Sequence, residues 1–484
     1  MEFEKTLSPA VPRARSVLKS GRSAFRVKIG PIRVSRQKQQ AGGVARFLLR
    51  STIMKRVFIG MVDRFDSKRV RRIRRDRMID RIAVSLICLI IPALIFLCAI
   101  GAFSSLAARS DEPAEKASRL KSAESNSPAV DPERVRAHVF ELASAKYEGR
   151  KGKGAELAAR YVAAEFQKLK LEPLFNKSYF QIFEKEPTDL MRGRNVGCVL
   201  RGGDRELADE WIVVSAHHDH LGVRDGKVYP GADDDASGIA MLLETARIAA
   251  TARSKPKRSI MFVSFDLEER GLYGSRFFVG EPPVPLERVK LFITADLIGG
   301  SLAGISSPYV FVMGIEHVPD LSTRLEAAAR GLDAIKIGLL GTDIVGVRSD
   351  YGPFRARGIP YLFFSTGENP RYHTPEDKPE TIDYAKLTAI VELVSRFVDA
   401  AALADSLPPW TAPGPPRIDE AIVLRDIMKS LNEHKDMLKI KPFQAGLLAR
   451  ELKELEGIVK RGTITPEERS RAVRVAQLIM ITVL

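Results

Sequence analysis

Short apolar runs that stop at acids or imidazoles restrict the fold of this chain more than any other feature. NVGCVL (195–200), WIVVSA (211–216), SIMFVSF (259–265), VKLFITA (289–295), YVFVMG (309–314) and YLFFS (361–365) are β-branched or aromatic. Helical stretches such as SGIAMLLETARIAATA (237–252) lie between several of them. Strands alternating with helices predict an α/β fold, with a mixed, mostly parallel central sheet and helices on both faces. In such sheets ligands gather at the carboxyl ends of the strands. That is where this chain concentrates its chemistry. His217-His218-Asp219-His220 follows the second run, Glu268 and Glu269 the third, Asp296 the fourth, and Tyr372-His373 the last. Asp233, Asp234 and Asp235 enter a helix.

Adjacent carboxylates at the end of a buried strand are costly unless a positive partner sits beside them. A divalent metal is that partner. Nitrogen and oxygen donors without thiolate suit zinc, or manganese and cobalt with less selectivity. Two metals sharing a carboxylate, roughly 3.5–4 Å apart, would polarise a carbonyl and activate water.

The motifs SAHHDHLG, GADDDASGIAMLLETAR, FVSFDLEERGLYGSRFF, TADLIGG and SDYGPF…YHTPED resemble the M28 family of zinc aminopeptidases. YEGRKGKGAELAARYVAAEFQKLKLEP is similar to that family's lead-in, and the resemblance covers roughly Asp131 to Ala404. It implies a zinc-exopeptidase, phosphorylase/hydrolase-like fold holding two zinc ions. His217 and Asp296 would bind one, Glu269 and His373 the other, and Asp234 would bridge them. Glu268 would be the general base. Asp219 would fix the His217 tautomer, and Tyr372 would stabilise the oxyanion. An acidic rim would attract the free N-terminus of a peptide substrate. The family commonly has His where this chain has Tyr351, after Ser349-Asp350. His218 and His220 read as packed or solvated histidines, Asp233 and Asp235 as helix caps, and Asp266 as a strand-end polar contact. Carboxypeptidase and glutaminyl cyclase activities share the fold. The cyclases commonly carry an insertion after the paired glutamates, whereas EERGLYGS runs on directly, which favours hydrolysis. A metal-free binding module should have lost ligands, and none of the five is missing. A third alternative puts the protein's interactions in its basic tail or C-terminal helices.

The chain carries a formal charge of +16, but residues 1–81 alone hold 23 Lys and Arg against 6 acids. The rest is near neutral, so the composition gives no reason to expect nucleic acid. Ile82–Ala107 is free of charge and long enough to span a bilayer. Its N-terminal flank is densely basic, so the positive-inside rule puts residues 1–81 in the cytoplasm and the catalytic part outside. The alternative is secretion after cleavage near Ala107, with Met54 or Met78 as the true start. The basic segment would also meet lipid. Of three cysteines, Cys88 and Cys98 lie in the apolar run, which leaves Cys198 without an intramolecular partner. The expected organisation is a largely disordered tail (1–81), a transmembrane helix (82–107), a linker (108–130) and a peptidase domain (131–405). A Pro-rich connector (406–417) and a helical C-terminal extension (418–484) follow. That extension shows amphipathic helices and no chemistry of its own.

Overall fold

A computed structural model describes residues 128–183, 192–305 and 307–483. The basic tail, the run Ile82–Ala107 and most of the linker lie outside the described residues. Among the described residues no helix is long and apolar enough to cross a membrane.

The six apolar runs become β3 (Gly193–Leu200), β4 (Trp211–His217), β7 (Ser259–Phe265), β8 (Val289–Ala295), β9 (Tyr309–Met313) and β11 (Tyr361–Ser365). They join β1 (Glu172–Pro173), β2 (Phe180–Phe183) and β10 (Lys336–Leu340) in one sheet. Its order is β1-β3-β7-β4-β8-β11-β9-β10, with β2 also beside β3. The four central strands, β7, β4, β8 and β11, are mutually parallel. β3 runs antiparallel to β7 and β9 antiparallel to β11, while β10 at the far edge runs parallel to β9. β4 and β7 are buried along their whole length, as parallel strands covered on both faces must be. A small ribbon, β5 (Val223–Arg224) with β6 (Lys227–Val228), stands apart from the sheet.

Alternate residues of each strand feed two cores. Ile212 and Val214 join one core with α1 (Pro132–Leu142), α2 (Lys153–Lys168), α3 (Ser237–Thr251), α5 (Leu321–Ala328) and α7 (Tyr384–Leu403). Val213 joins the other, with α4 (Tyr273–Gly280) and α6 (Tyr351–Arg355). The same second core takes in α8 (Ile418–Glu433), α9 (Pro442–Arg461) and α10 (Pro466–Val483) through Leu424, Leu448, Leu455 and Ile479. The C-terminal helices thus cover the sheet face that α4 and α6 leave bare. Asp131 caps α1 by accepting from the Glu133 and Arg134 amides at 3.0 and 3.3 Å. The Thr465–Glu468 capping box opens α10, with both reciprocal bonds formed. The Pro-rich connector is fastened to the body. Trp410 stacks on His317 at 3.7 Å, and the Thr411 amide donates to the His317 carbonyl.

Register sets the site. His217 at the end of β4 pairs with Phe265 at the end of β7, and Ser215 pairs with Thr294 in β8. Asp219, Glu268 and Asp296 therefore leave the sheet at one level, on one edge.

Candidate metal centre

Asp234 sits in the middle of the cluster, in the turn that precedes α3. Its Oδ1 lies 3.3 Å from His217 Nε2, and its Oδ2 lies 3.1 Å from His373 Nε2. His217 Nε2 is 3.7 Å from Asp296 Oδ1, and His373 Nε2 is 3.2 Å from Glu269 Oε2. Every ligand candidate read from the sequence meets the others here, although more than 150 residues separate the outermost two. Glu268 and Tyr372 line a cavity of about 620 Å³ together with Asp234 and Asp296.

The donor set fits a cation. His217 Nε2, His373 Nε2, Asp234 Oδ2 and Glu269 Oε1 are buried and have no hydrogen-bond partner. Polar atoms left so are costly, and several that converge on one point have a shared ligand in common. Among the described residues two groups are tight enough to hold an ion: His217, Asp235 and Asp296, and His220, Asp234 and Glu269. In the first, Asp235 already accepts from the His217 amide (3.1 Å) and the Gly238 amide (3.0 Å). It serves the first turn of α3, as a cap should, and Asp234 has the free lone pairs. In the second, His220 is a residue the sequence reading set aside. Its Nδ1 approaches Glu269 Oε1 to 2.9 Å and Asp234 Oδ2 to 3.6 Å, and neither ring nitrogen is hydrogen-bonded. His218 does pack as expected, with Nδ1 2.7 Å from Ser264 Oγ.

Electrostatics describe a carboxylate cluster short of positive charge. Burial raises Glu268 well above the usual carboxylate range; His217 opposes this, while Asp296, Asp350 and Asp219 add to it. Burial likewise raises Asp296. Asp234 is driven well down by His220, His217 and His373, against the effect of burial. Burial lowers His373, but Asp234 and Glu269 outweigh it and hold the imidazole up at about 10. Burial, with the acids Asp234, Asp296 and Glu269, raises the Tyr372 phenol, which stays protonated and able to donate.

The supporting contacts explain how loops hold such charges. Asp219 faces His217 Nδ1 at 3.5 Å. The same carboxylate accepts from the Glu268 amide (2.9 Å) and the Glu269 amide (3.3 Å), so it also fixes the paired-glutamate turn. Leu267 and Gly271 flank that turn with φ of 57° and 79°, which redirects both glutamates into one cleft. Asp377, from the YHTPED motif, accepts from the Asp233 and Asp234 amides. Asp233 caps nothing in the usual sense. It ties two loops together, accepting from the Gly299 amide at 2.6 Å and from Asn369 Nδ2 at 2.9 Å. Asp266 accepts from the Arg194 amide, the strand-end contact expected of it.

Arg150 was missed by sequence reasoning. It is fully buried, and its guanidinium donates to the carbonyls of Leu142, His218, Pro230, Gly231 and Asp234. It clamps the loop that carries the central aspartate and adds positive charge behind it. Tyr351, where the family pattern has His, stacks between Tyr361 (5.0 Å) and Phe363 (4.8 Å). Its hydroxyl receives the Arg348 amide at 3.2 Å and donates to the Gly346 carbonyl, which fixes the loop before α6. Asp350 beside it is buried with neither oxygen hydrogen-bonded, and burial pushes its carboxyl up to about 7.

Known proteins resemble part of this chain. Aminopeptidase YwaD of Bacillus subtilis (strain 168) is 31% identical over 205 residues, 41% of this chain and 42% of that protein. The glutaminyl-peptide cyclotransferase of Boiga irregularis is 30% identical over 236 residues, 40% of this chain and 62% of that protein. The alignments thus span less than two thirds of either relative. The crystal structure of Legionella pneumophila LapA aminopeptidase is 22% identical, with a TM-score of 0.45 over 58% of this chain and 73% of that one. Residues 195–398, which contain every ligand candidate, match the model of peptidase family M28.

Proposed function

We propose that this protein is a membrane-anchored zinc exopeptidase that removes N-terminal residues from peptides. The observation that carries the reading is the convergence of buried, unpartnered nitrogen and oxygen atoms on Asp234. His217 and Asp296 would hold one zinc and Glu269 and His373 the other, with Asp234 within reach of both histidines. Zinc supplies, when bound, Lewis-acid activation of water and of the scissile carbonyl.

The chain's own residues do the rest. Glu268 takes the proton of the attacking water and returns it to the leaving amine. Tyr372 donates to the oxyanion. Asp219 keeps His217 in the tautomer that leaves Nε2 free for metal. Glu368, which also lines the cavity, joins the acids that favour a substrate ammonium. His220 orients Glu269.

Cyclisation of N-terminal glutamine is the second reading, favoured by the likeness to the Boiga irregularis cyclotransferase. Against it, Glu269 runs through the turn straight into α4 without an insertion. Zinc analysis of the protein together with an aminoacyl-anilide panel and a Gln-peptide tests both. About two zinc per chain and chelator-sensitive anilide hydrolysis are expected. Ammonia release from the Gln-peptide without anilide hydrolysis would select the cyclase. Ile82–Ala107 supports the anchor, with the N-terminus cytoplasmic, the catalytic part outside and the basic segment on lipid. Recovery of the full chain in the membrane fraction after high-salt washing tests it, and release by salt would refute it.

A further inference from the structure

We propose that the C-terminal helices α8 and α10 form the specificity wall of the substrate cleft. The substrate they select carries a large apolar group beside the reacting carbonyl. This rests on the peptidase reading above and names what that site prefers. One cavity runs from the metal centre to these helices. Asp234, Glu268, Asp296 and Tyr372 line one end. Leu424, Ile427, Met428 and Leu431 of α8, with Ile479 and Met480 of α10, line the other. Phe311, Met313 and Phe363 from β9 and β11 also line it. Its 620 Å³ falls in the range of about 300–1,000 Å³ that encloses a drug-sized ligand.

The wall is fastened to the catalytic half. Arg469 of α10 bonds Asp343 (2.8 and 2.7 Å) and Glu420 of α8 (2.6 and 2.8 Å). Glu420 in turn accepts from the Gly341 amide, and Gln477 donates to the Asp343 carbonyl, each at 2.8 Å. The loop held this way continues through Val345, Gly346 and Arg348, which line the same cavity. The helices and the loop therefore shape one space. Its charges complete the match. Arg348 is the one basic residue among those lining it and stands 3.7 Å from Glu368, so the polar end is acidic. An ammonium group at that end and an apolar body against α8 and α10 fit the lining throughout.

The test uses the full chain and two separate variants, Ile427→Trp and Met480→Trp, both at half-buried positions that face the space. The ratio of kcat/KM for a Phe-anilide over an Ala-anilide is expected to fall at least tenfold in each, with zinc content retained. Phe443→Ser, on an exposed position of α9, serves as the control and leaves the ratio as it was. An unchanged ratio in both tryptophan variants overturns the proposal. A second arm needs no turnover: n-octylamine is expected to raise the melting temperature of the parent chain where ethylamine does not, and the tryptophan variants are expected to lose that effect. If the parent cleaves no anilide, the peptidase reading fails and octylamine alone decides. Failure of octylamine to bind the parent then overturns the wall.

Discussion

Glu268 is held protonation-ready by its burial and by its acidic neighbours, with His217 in opposition. Glu268→Gln keeps the shape and loses the basicity, so zinc content should persist while kcat drops by about 10²–10⁴. Near-normal turnover in that variant would assign the proton transfer elsewhere. Asp219 does two jobs, facing His217 and holding the glutamate turn. Asp219→Asn is therefore expected to weaken zinc binding by about 10–100-fold, measured by competition with a chelator. The His373 imidazole sits up at about 10 because Asp234 and Glu269 outweigh its burial. Its ring nitrogen must shed the proton before it can take a metal, so apparent zinc affinity of the metal-depleted protein should fall as pH drops below about 10. A pH-independent affinity would remove His373 from the ligand set. The ligand candidates were legible because each closes an apolar run or opens a helix. Arg150 was not, since its partners are backbone carbonyls from three separate stretches of the chain, and carbonyls leave no mark in a sequence. His220 was passed over because a histidine next to a likelier ligand is usually a packing residue, and only the loop's path turns it toward Glu269.

Among the secondary-structure elements, the long buried strands announced themselves and the short edge strands did not. SIMFVSF and VKLFITA became β7 and β8 without a residue's difference. β10, KIGLL, escaped because it is five residues long, begins with an exposed lysine and carries a glycine. β1 is only two residues long, and its proline lacks an amide to donate to the ladder. The antiparallel steps at β3 and β9 have the same origin, since strand direction there depends on connections that periodicity does not encode. α10 is joined to α8 and to the loop after β10 through one guanidinium, that of Arg469. Arg469→Gln removes the guanidinium and its charge, and should cost roughly 1.5–3 kcal/mol in a denaturant titration, the range for hydrogen bonds to charged groups. A change within a few tenths would show that the apolar contacts of α8 and α10 suffice to hold them.

Taken whole, the described residues from 128 to 483 form one compact unit, and the C-terminal helices belong to the second core. Their amphipathic pattern was plain in the sequence. What their apolar faces cover was not, because the complementary surface on β9, β10 and β11 lies far away along the chain. Truncation after residue 417 should expose Phe311, Met313 and Leu340, with dye binding and a lowered, less cooperative melting transition as the readouts. A truncated chain that melts like the parent would mean that the sheet closes without them. The proposed metal ligands all lie between His217 and His373, while the cavity they share is also lined by residues from Leu424 to Met480, beyond the strap that Trp410 pins to His317. Chemistry and appetite are thus written on different stretches of polymer. On the proposed reading, a library confined to α8 and α10 would recut what the cleft accepts while every proposed metal-holding group keeps its own neighbours.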